Sequence, residues 1–177
     1  TGNANGQPSW VGQGFELWPG FIERRYKSCE DDDAPKSEFG NSPGDQCWGL
    51  DNATVTWNGK GGELIQAADG TWRLKNDDGT KFEKVTGAAN GDDNGEYWKV
   101  TDTSGVQYFF GRNRLPGWSS GKPETGSAWT VPVFGDDSGE PCHDSSFAGS
   151  WCQQAYRWNL DYAVDPSGNA ILYTYGK

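Results

Sequence analysis

Residues 141–146 bring together the residue types of a nucleophilic triad. The only histidine of the chain, His143, stands between Cys142 and Asp144 and is followed by two serines. In nucleophilic triads the serine, histidine and aspartate converge from separate segments of the chain, whereas here they are adjacent. No G-x-S-x-G elbow occurs in the sequence. We therefore interpret this segment as a surface loop beside a disulfide.

Paired carboxylates are a second candidate for chemistry, because two acidic side chains across a cleft can hydrolyse a glycosidic bond. The chain has 25 aspartates and glutamates among 177 residues, so some pairs will lie close together by chance. Five glutamates lie on or near segments with the pattern of strands: Glu16, Glu23, Glu63, Glu83 and Glu96. We interpret them as parts of solvated strand faces, and we predict that the chain is not an enzyme.

A calcium loop is suggested by the run that starts at Asn90, because Asn90 and Asp92 occupy its first and third positions and Gly95 its sixth. The twelfth position, Thr101, should be glutamate in an EF-hand, so that template fails. A turn rich in Asn and Asp is the simpler interpretation. Weak calcium binding here or at the acidic run 30–33 stays open as an alternative.

The four cysteines form two near pairs, and four cysteines allow three connectivities. We predict the local disulfides Cys29–Cys47 and Cys142–Cys152, which close loops that have little else to order them. A zinc site with His143 is the alternative, but no C-x-x-C spacing supports it. We expect no metal and no cofactor. The even number of cysteines and the absence of methionine point to a secreted protein.

The net charge of −10 excludes several classes of partner. An acidic chain repels the phosphates of nucleic acids and an anionic membrane surface. No apolar run approaches the roughly 18 residues that a membrane-spanning helix needs. The chain starts without methionine and without the pattern of a signal peptide, so we expect a processed product or a fragment.

Ten tryptophans in one domain admit a binding function, because exposed rings can stack on sugars. The tryptophans outside the clearest strand patterns are expected to be exposed: Trp10, Trp18, Trp118 and Trp129. Three others fit ladders of rings between hairpins, which is a structural use: Trp72, Trp98 and Trp158.

Two basic spots stand out in this acidic sequence, Arg24-Arg25 and Arg112 with Arg114. We interpret them as internal ion-pair partners of the Asp-rich loops. If exposed together, they would form a docking patch for a partner.

Alternating apolar residues and Gly-containing turns indicate a meander of antiparallel strands. Turns such as Asp69-Gly70 place glycine where a hairpin needs positive φ and aspartate where it can bond its own backbone. We expect two short strands around Pro19-Gly20. Further strands are predicted over residues 53–57, 62–67, 71–75, 80–86, 96–101 and 105–110, and a last hairpin over 155–164 and 169–175.

These elements predict an all-β fold in one domain over residues 1–177. It is a twisted antiparallel hairpin meander, shell-like or sandwich-like, with little helix and two disulfides. Residues 1–9 are polar and expected to be frayed. Residues 111–150 are expected to be a long irregular insertion with a functional or docking role.

Three blocks carry a family resemblance. Residues 12–15, GQGF, run on to residues 20–24, GFIER, and are similar to the G-x-G-(W/F)…I-x-R signature of Rhs/YD-repeat shell proteins. Residues 158–175 resemble the closing W-x-L…D-x-x-G-N-x-I-x-Y-x-Y hairpin of that family. Residues 70–87 and 106–118 resemble the version found in large secreted actinobacterial Rhs-type polymorphic toxins.

The resemblance implies a β-rich segment of a spiral shell that surrounds a toxic cargo and performs no chemistry itself. A chain of 177 residues cannot enclose a toxin domain, so we expect a shell fragment or a unit freed to act alone. The expected partners of the shell segment are other parts of the parent protein.

The alternative function is a free-standing secreted module, or inhibitor, that binds a glycan or a protein. Its candidate surface consists of Arg112, Arg114, Trp118 and Trp129. A shell fragment should leave strand 169–175 as an open edge, whereas a dedicated binder should cover that edge and expose its aromatic residues in a groove.

Overall fold

The computed structural model of the protein describes residues 19–31, 45–76 and 78–176. These residues form short strands, with two single 3-10 turns at Cys29–Asp31 and Phe147–Gly149. The strands are β1 (Phe21–Glu23), β2 (Lys27–Ser28), β3 (Gln46–Cys47), β4 (Ala53–Trp57), β5 (Lys60–Gln66), β6 (Trp72–Leu74), β7 (Lys81–Val85), β8 (Tyr97–Thr101), β9 (Gln107–Phe110), β10 (Ala128–Phe134), β11 (Trp151–Val164) and β12 (Ala170–Leu172).

The meander closes into an antiparallel barrel. Strands β4 to β9 pair in sequence order, β11 follows β9, and β1 pairs with both β4 and β11. Closure satisfies the backbone groups that an open sheet would leave at its edges. Strand β11 is long enough to serve several neighbours, because its first half pairs with β10 and its last residues pair with β9 and β12.

Aromatic rings fill the barrel. Trp72, Trp98 and Trp158 form a chain of edge-to-face contacts with centroid distances of 5.6 and 5.9 Å. Trp57 packs edge-on against Phe110, and the buried cluster also contains aliphatic residues such as Val55, Val100 and Ile22. The interior is therefore a packed core built from large rings rather than from many aliphatic side chains.

A small extension carries β10, β3 and β2 beside the barrel. Strand β3 pairs in parallel with the end of β10 and antiparallel with β2. The Cys29–Cys47 disulfide is buried in this extension, where Phe134 and Phe147 pack against it. The second disulfide, Cys142–Cys152, links the loop after β10 to the start of β11.

The all-β fold, the scarcity of helix and both local disulfides are confirmed. Strand 53–57 matches β4 at both ends, and the other predicted strands differ from the observed ones mainly at their ends. The predicted strand 169–175 is shorter, since β12 covers Ala170–Leu172.

The prediction that residues 111–150 are irregular throughout is wrong for the seven residues of β10. This strand contains Pro132, and its buried and exposed residues do not alternate, so no local pattern marks it. Its pairing with β11 and β3 holds it in place, which is a tertiary effect. The expectations for residues 1–9, Trp10, Glu16 and Trp18 lie outside the described residues.

Candidate functional site

A cluster of charges lies at one end of the barrel, around Arg24. Arg24 follows β1, Asp51 precedes β4, Lys84 lies near the end of β7, and Glu96 precedes β8. Because neighbouring strands run antiparallel, these positions meet at the same end. The guanidinium Nη2 of Arg24 lies 2.8 Å from Glu96 Oε1, and its Nη1 lies 3.5 Å from Asp51 Oδ1. Lys84 pairs with the same two carboxylates.

Aromatic rings enclose the Arg24 side chain, which is almost entirely buried. Its guanidinium carbon lies 4.7 Å from the ring centroid of Trp48 and 5.0 Å from that of Trp158. Its Nε donates to the Tyr26 hydroxyl at 2.9 Å, and that hydroxyl donates to the carbonyl of Ala155 at 2.6 Å. The guanidinium of Arg24 and the hydroxyl of Tyr26 therefore both have partners, as buried polar groups require, whereas the buried indole Nε1 of Trp48 has no hydrogen-bond partner in the described parts of the chain.

Asp92 ties the turn between β7 and β8 to this cluster. Its carboxylate accepts the backbone N–H groups of Asn94, Glu96 and Ala155. Burial raises the pKa of Asp92, while these amide donors act in the opposite direction. The turn that resembled a calcium loop thus uses Asp92 to hold its own backbone and that of β11.

Two concave surfaces meet at Arg24. The smaller, with a volume of about 280 Å³, has Asp51, Lys84 and Glu96 in its wall. The larger has a volume of about 540 Å³, and we call it the aromatic groove. The groove lies between β1–β2 and β10–β11 and is lined by Arg24, Arg25, Tyr26, Asp45, Gln46, Val131, Pro132, Phe134 and Tyr156.

A β-bulge gives the aromatic groove one of its rings. In the pairing of β10 with β11, Trp129 lies opposite Arg157 and Thr130 opposite Ala155, so Tyr156 is the extra residue. Such bulges redirect a side chain out of the regular alternation. Tyr156 accordingly lines the groove, whereas Trp158, two residues later, is buried in the core.

Two of the aromatic rings that line the groove, those of Phe134 and Tyr26, pack against other rings of the protein. Phe134 stacks on Phe147 with centroids 4.5 Å apart, beside the buried Cys29–Cys47 disulfide. Tyr26 packs edge-on against Trp48 at 5.1 Å. These contacts hold two of the three rings in place before any ligand arrives, a property of preformed binding sites.

Arg25 differs from its neighbour Arg24. Its backbone N–H and carbonyl both bond Asn52, which fixes the position of the residue, while its side chain is exposed. All six arginines of the chain lie in the described parts. Among those residues, Arg25 is the arginine whose guanidinium has no ion pair, hydrogen bond or ring contact. The expectation that Arg24-Arg25 is internal is confirmed for Arg24 alone.

The structure places the four predicted binding residues in three separate settings. Arg112 hydrogen-bonds the Tyr162 hydroxyl and lies over the ring of Phe109 at 5.4 Å. Trp129 donates its indole N–H to the carbonyl of Gly126 and faces Arg157.

The third setting joins Arg114 and Trp118. The guanidinium carbon of Arg114 lies 3.7 Å from the ring centroid of Trp118, and its Nε pairs with Glu124 at 2.7 Å. The indole N–H of Trp118 donates to the carbonyl of Lys122. Arg114 therefore covers one face of the ring that was expected to stack on a ligand.

The triad candidate has a structural use. His143 is exposed, and its Nδ1 is 2.8 Å from the carbonyl oxygen of Gly135. Asp144 accepts the backbone N–H of Ser145. This arrangement fastens the disulfide loop, in keeping with the interpretation from the sequence.

Comparison with known proteins finds no matching family model, curated protein or solved structure. Within the described ranges, none of the helical segments has the length and apolar character needed to cross a membrane. The function must therefore be argued from the site itself.

Sequence reasoning missed Tyr26, Phe134 and Tyr156 as groove residues. Neither the bulge at Tyr156 nor the strand that carries Phe134 has a local signature. The adjacent pair Arg24-Arg25 was the one signal of this site that could be read from the sequence.

Proposed function

We propose that this chain is a non-catalytic structural segment of a secreted Rhs/YD-repeat type shell protein. It packs against other parts of the parent protein through further strands. The two disulfides and the hairpin construction are compatible with an extracellular shell. The polar groups that could do chemistry, at His143 and Asp92, are engaged in holding the backbone.

The observation that carries this proposal is strand β12. Among the described strands it pairs with β11 alone. Its residues Ile171 and Leu172 expose 60% and 56% of their surface. An edge strand with exposed apolar residues is a template for another strand, and soluble proteins usually protect such edges with charge or cover.

The test measures strand-mediated association of this chain in solution. Analytical ultracentrifugation should show concentration-dependent association that Leu172→Lys abolishes. Ile65→Lys is the matched control, because Ile65 is exposed to the same 56% but belongs to β5, which is paired on both sides. A chain that stays monomeric at all concentrations, or association that both variants weaken equally, would contradict the proposal.

A second candidate function is a binding module for a glycan or another secreted protein, and the aromatic groove favours it. A glycan array with the wild-type chain, Tyr156→Ala and Trp118→Ala tests this function. Saturable binding lost with Tyr156→Ala places the ligand in the groove. Loss with Trp118→Ala instead would favour the surface formed by Trp118 and Arg114. Absence of binding to any glycan would contradict a glycan-binding function.

A further inference from the structure

We infer that the aromatic groove is a subsite for a saccharide that carries a carboxylate, with Arg25 as the residue that recognises the charge. This inference rests on the second candidate function above and specifies its ligand. The groove volume of about 540 Å³ is within the range of small-molecule sites. Its lining combines aromatic rings with a few polar and charged side chains, which suits a ring with an apolar face and a polar edge. The acidic residue in the lining, Asp45, has an interaction partner of its own within the protein.

The charge preference follows from the state of the two neighbouring arginines. Arg24 is neutralised by Glu96 and Asp51, so its charge is already satisfied inside the protein. Arg25 lines the same groove with a guanidinium that none of the described residues engages. Acidic partners abound in a chain with a net charge of −10. A guanidinium that the described residues leave unengaged at a concave site can therefore bind an external carboxylate. The planar guanidinium can bind a carboxylate through two parallel hydrogen bonds.

The stacking partner is Tyr156, which the bulge in β11 turns into the groove. The Tyr156 hydroxyl has no hydrogen-bond partner among the described residues, unlike that of Tyr26. Its ring can therefore offer an apolar face to the C–H groups of a sugar while its hydroxyl bonds a sugar oxygen.

The net charge limits the ligand to few carboxylates. Repulsion from the acidic surface acts on the whole length of a polyanion, whereas a single carboxylate at Arg25 interacts mainly within the Debye length of about 8 Å at physiological salt. A sulfated or phosphate-rich polymer is therefore disfavoured, and a short saccharide containing a uronic acid fits.

Isothermal titration with trigalacturonic acid and with its methyl ester tests the inference at low salt. The acid should bind about tenfold or more tightly than the ester, as expected for a charge-assisted hydrogen bond. Arg25→Ala should reduce the affinity for the acid to that for the ester, and Arg25→Lys should restore part of the difference. Arg73→Ala is the matched control, since Arg73 is an exposed arginine on β6 outside the groove, and it should leave both affinities unchanged.

Variants of Tyr156 separate the contribution of ring stacking to the affinity from the contribution of the charge at Arg25. Tyr156→Ala should weaken binding of the acid and of the ester alike, while Tyr156→Phe should retain most of the affinity for both. Far-UV circular dichroism of each variant checks that the fold is intact.

Three outcomes would overturn the inference. Equal binding of acid and ester leaves a glycan-binding groove but removes the role of Arg25. Absence of binding to either compound, together with an uncharged glycan that does bind in a Tyr156-dependent manner, shows that the groove binds sugars of another class. Arg25-dependent binding of an acidic peptide without binding of either saccharide makes the partner a protein.

Discussion

Arg24 illustrates how one buried cation can organise a whole end of the barrel. It is enclosed by Trp48 and Trp158 and pairs with Glu96, and its side chain is 1% exposed. The pairing offsets the cost of burial. Without Arg24, Glu96 would keep Lys84 as a partner, but the fully buried carboxylate of Asp92 would lose its one ion-pair partner among the described residues.

Arg24→Ala should therefore lower the free energy of unfolding by about 3–5 kcal/mol, as for other broken buried ion pairs. Arg25→Ala is the matched control, and its exposed side chain should change that free energy by no more than about 0.5 kcal/mol. Urea unfolding followed by fluorescence measures both values. A similar small effect of the two substitutions would show that water reaches the Arg24 cluster.

Asp161 is a second buried charged residue, but it lacks a cation among its hydrogen-bond partners. Its Oδ2 accepts the backbone N–H of Asn113 at 2.8 Å and the Ser127 hydroxyl at 3.1 Å, while its Oδ1 has no hydrogen-bond partner in the described parts of the chain. Burial raises the pKa of Asp161 to about 6, despite these donors. The folded protein therefore holds a proton here that the unfolded chain releases at lower pH.

The sign of the pH effect follows from linkage. The contribution of Asp161 to stability is fully present below the ordinary aspartate pKa of about 4 and is lost as pH rises through about 6. Asp161→Asn should remove this pH dependence, because the amide does not titrate and its oxygen can keep the bonds made by Oδ2.

Thermal denaturation between pH 4 and 7 measures the effect as the difference between wild type and variant. Glu63→Gln, an exposed substitution on β5, controls for the change in net charge. A constant difference across this pH range would contradict a titrating Asp161.

At the scale of the elements, Gly111 fixes how β9 leaves the barrel. Its φ of 77° is in the left-handed region, and its N–H donates to the carbonyl of Asn159 at 2.9 Å. A Cβ atom at this position would lie 2.2 Å from the ring of Trp158. Trp158 is fully buried within the core cluster.

Gly111→Ala should therefore destabilise the protein by more than about 3 kcal/mol, because overpacking adds to backbone strain. Gly70→Ala is the matched control, with a φ of 86° but open space around the new Cβ. It should lose only about 1 kcal/mol. Urea midpoints give both values, and equal losses would mean that Trp158 can yield.

Much of the strand pattern could be predicted because it is local. The alternation around Trp72, Phe82 and Trp98 and the Asp-Gly turns identify hairpins without knowledge of their neighbours. Strand β10 and the bulge at Tyr156 escaped prediction, since both arise where β10 and β11 pair across a long loop.

At the scale of the whole molecule, the closed barrel lets its strands share one core of aromatic rings. The chain of Trp72, Trp98 and Trp158 runs across strands from both halves of the meander. The core should therefore not melt separately from the barrel. With both disulfides intact, we expect one cooperative unfolding transition.

Circular dichroism in urea tests this, with the near-UV signal reporting the packed rings and the far-UV signal the strands. The two transitions should coincide. Trp98→Phe should remove much of the near-UV signal, whereas Trp118→Phe, outside the core, should leave most of it. Loss of the near-UV signal at lower urea concentration would indicate a core that loosens before the strands do.

The sequence by itself determined the all-β class, most of the hairpins and the two local disulfides, because each depends on residues that are close in the chain. Only the tertiary structure decided that the meander closes through the pairing of β1 with β11, which are more than a hundred residues apart. The same holds for the aromatic groove, whose lining comes from β1–β2, β3, β10 and β11. Arg24 is buried against a carboxylate while Arg25 is exposed, and this difference depends on which strands meet around them. Nothing in the local sequence distinguishes the two adjacent arginines.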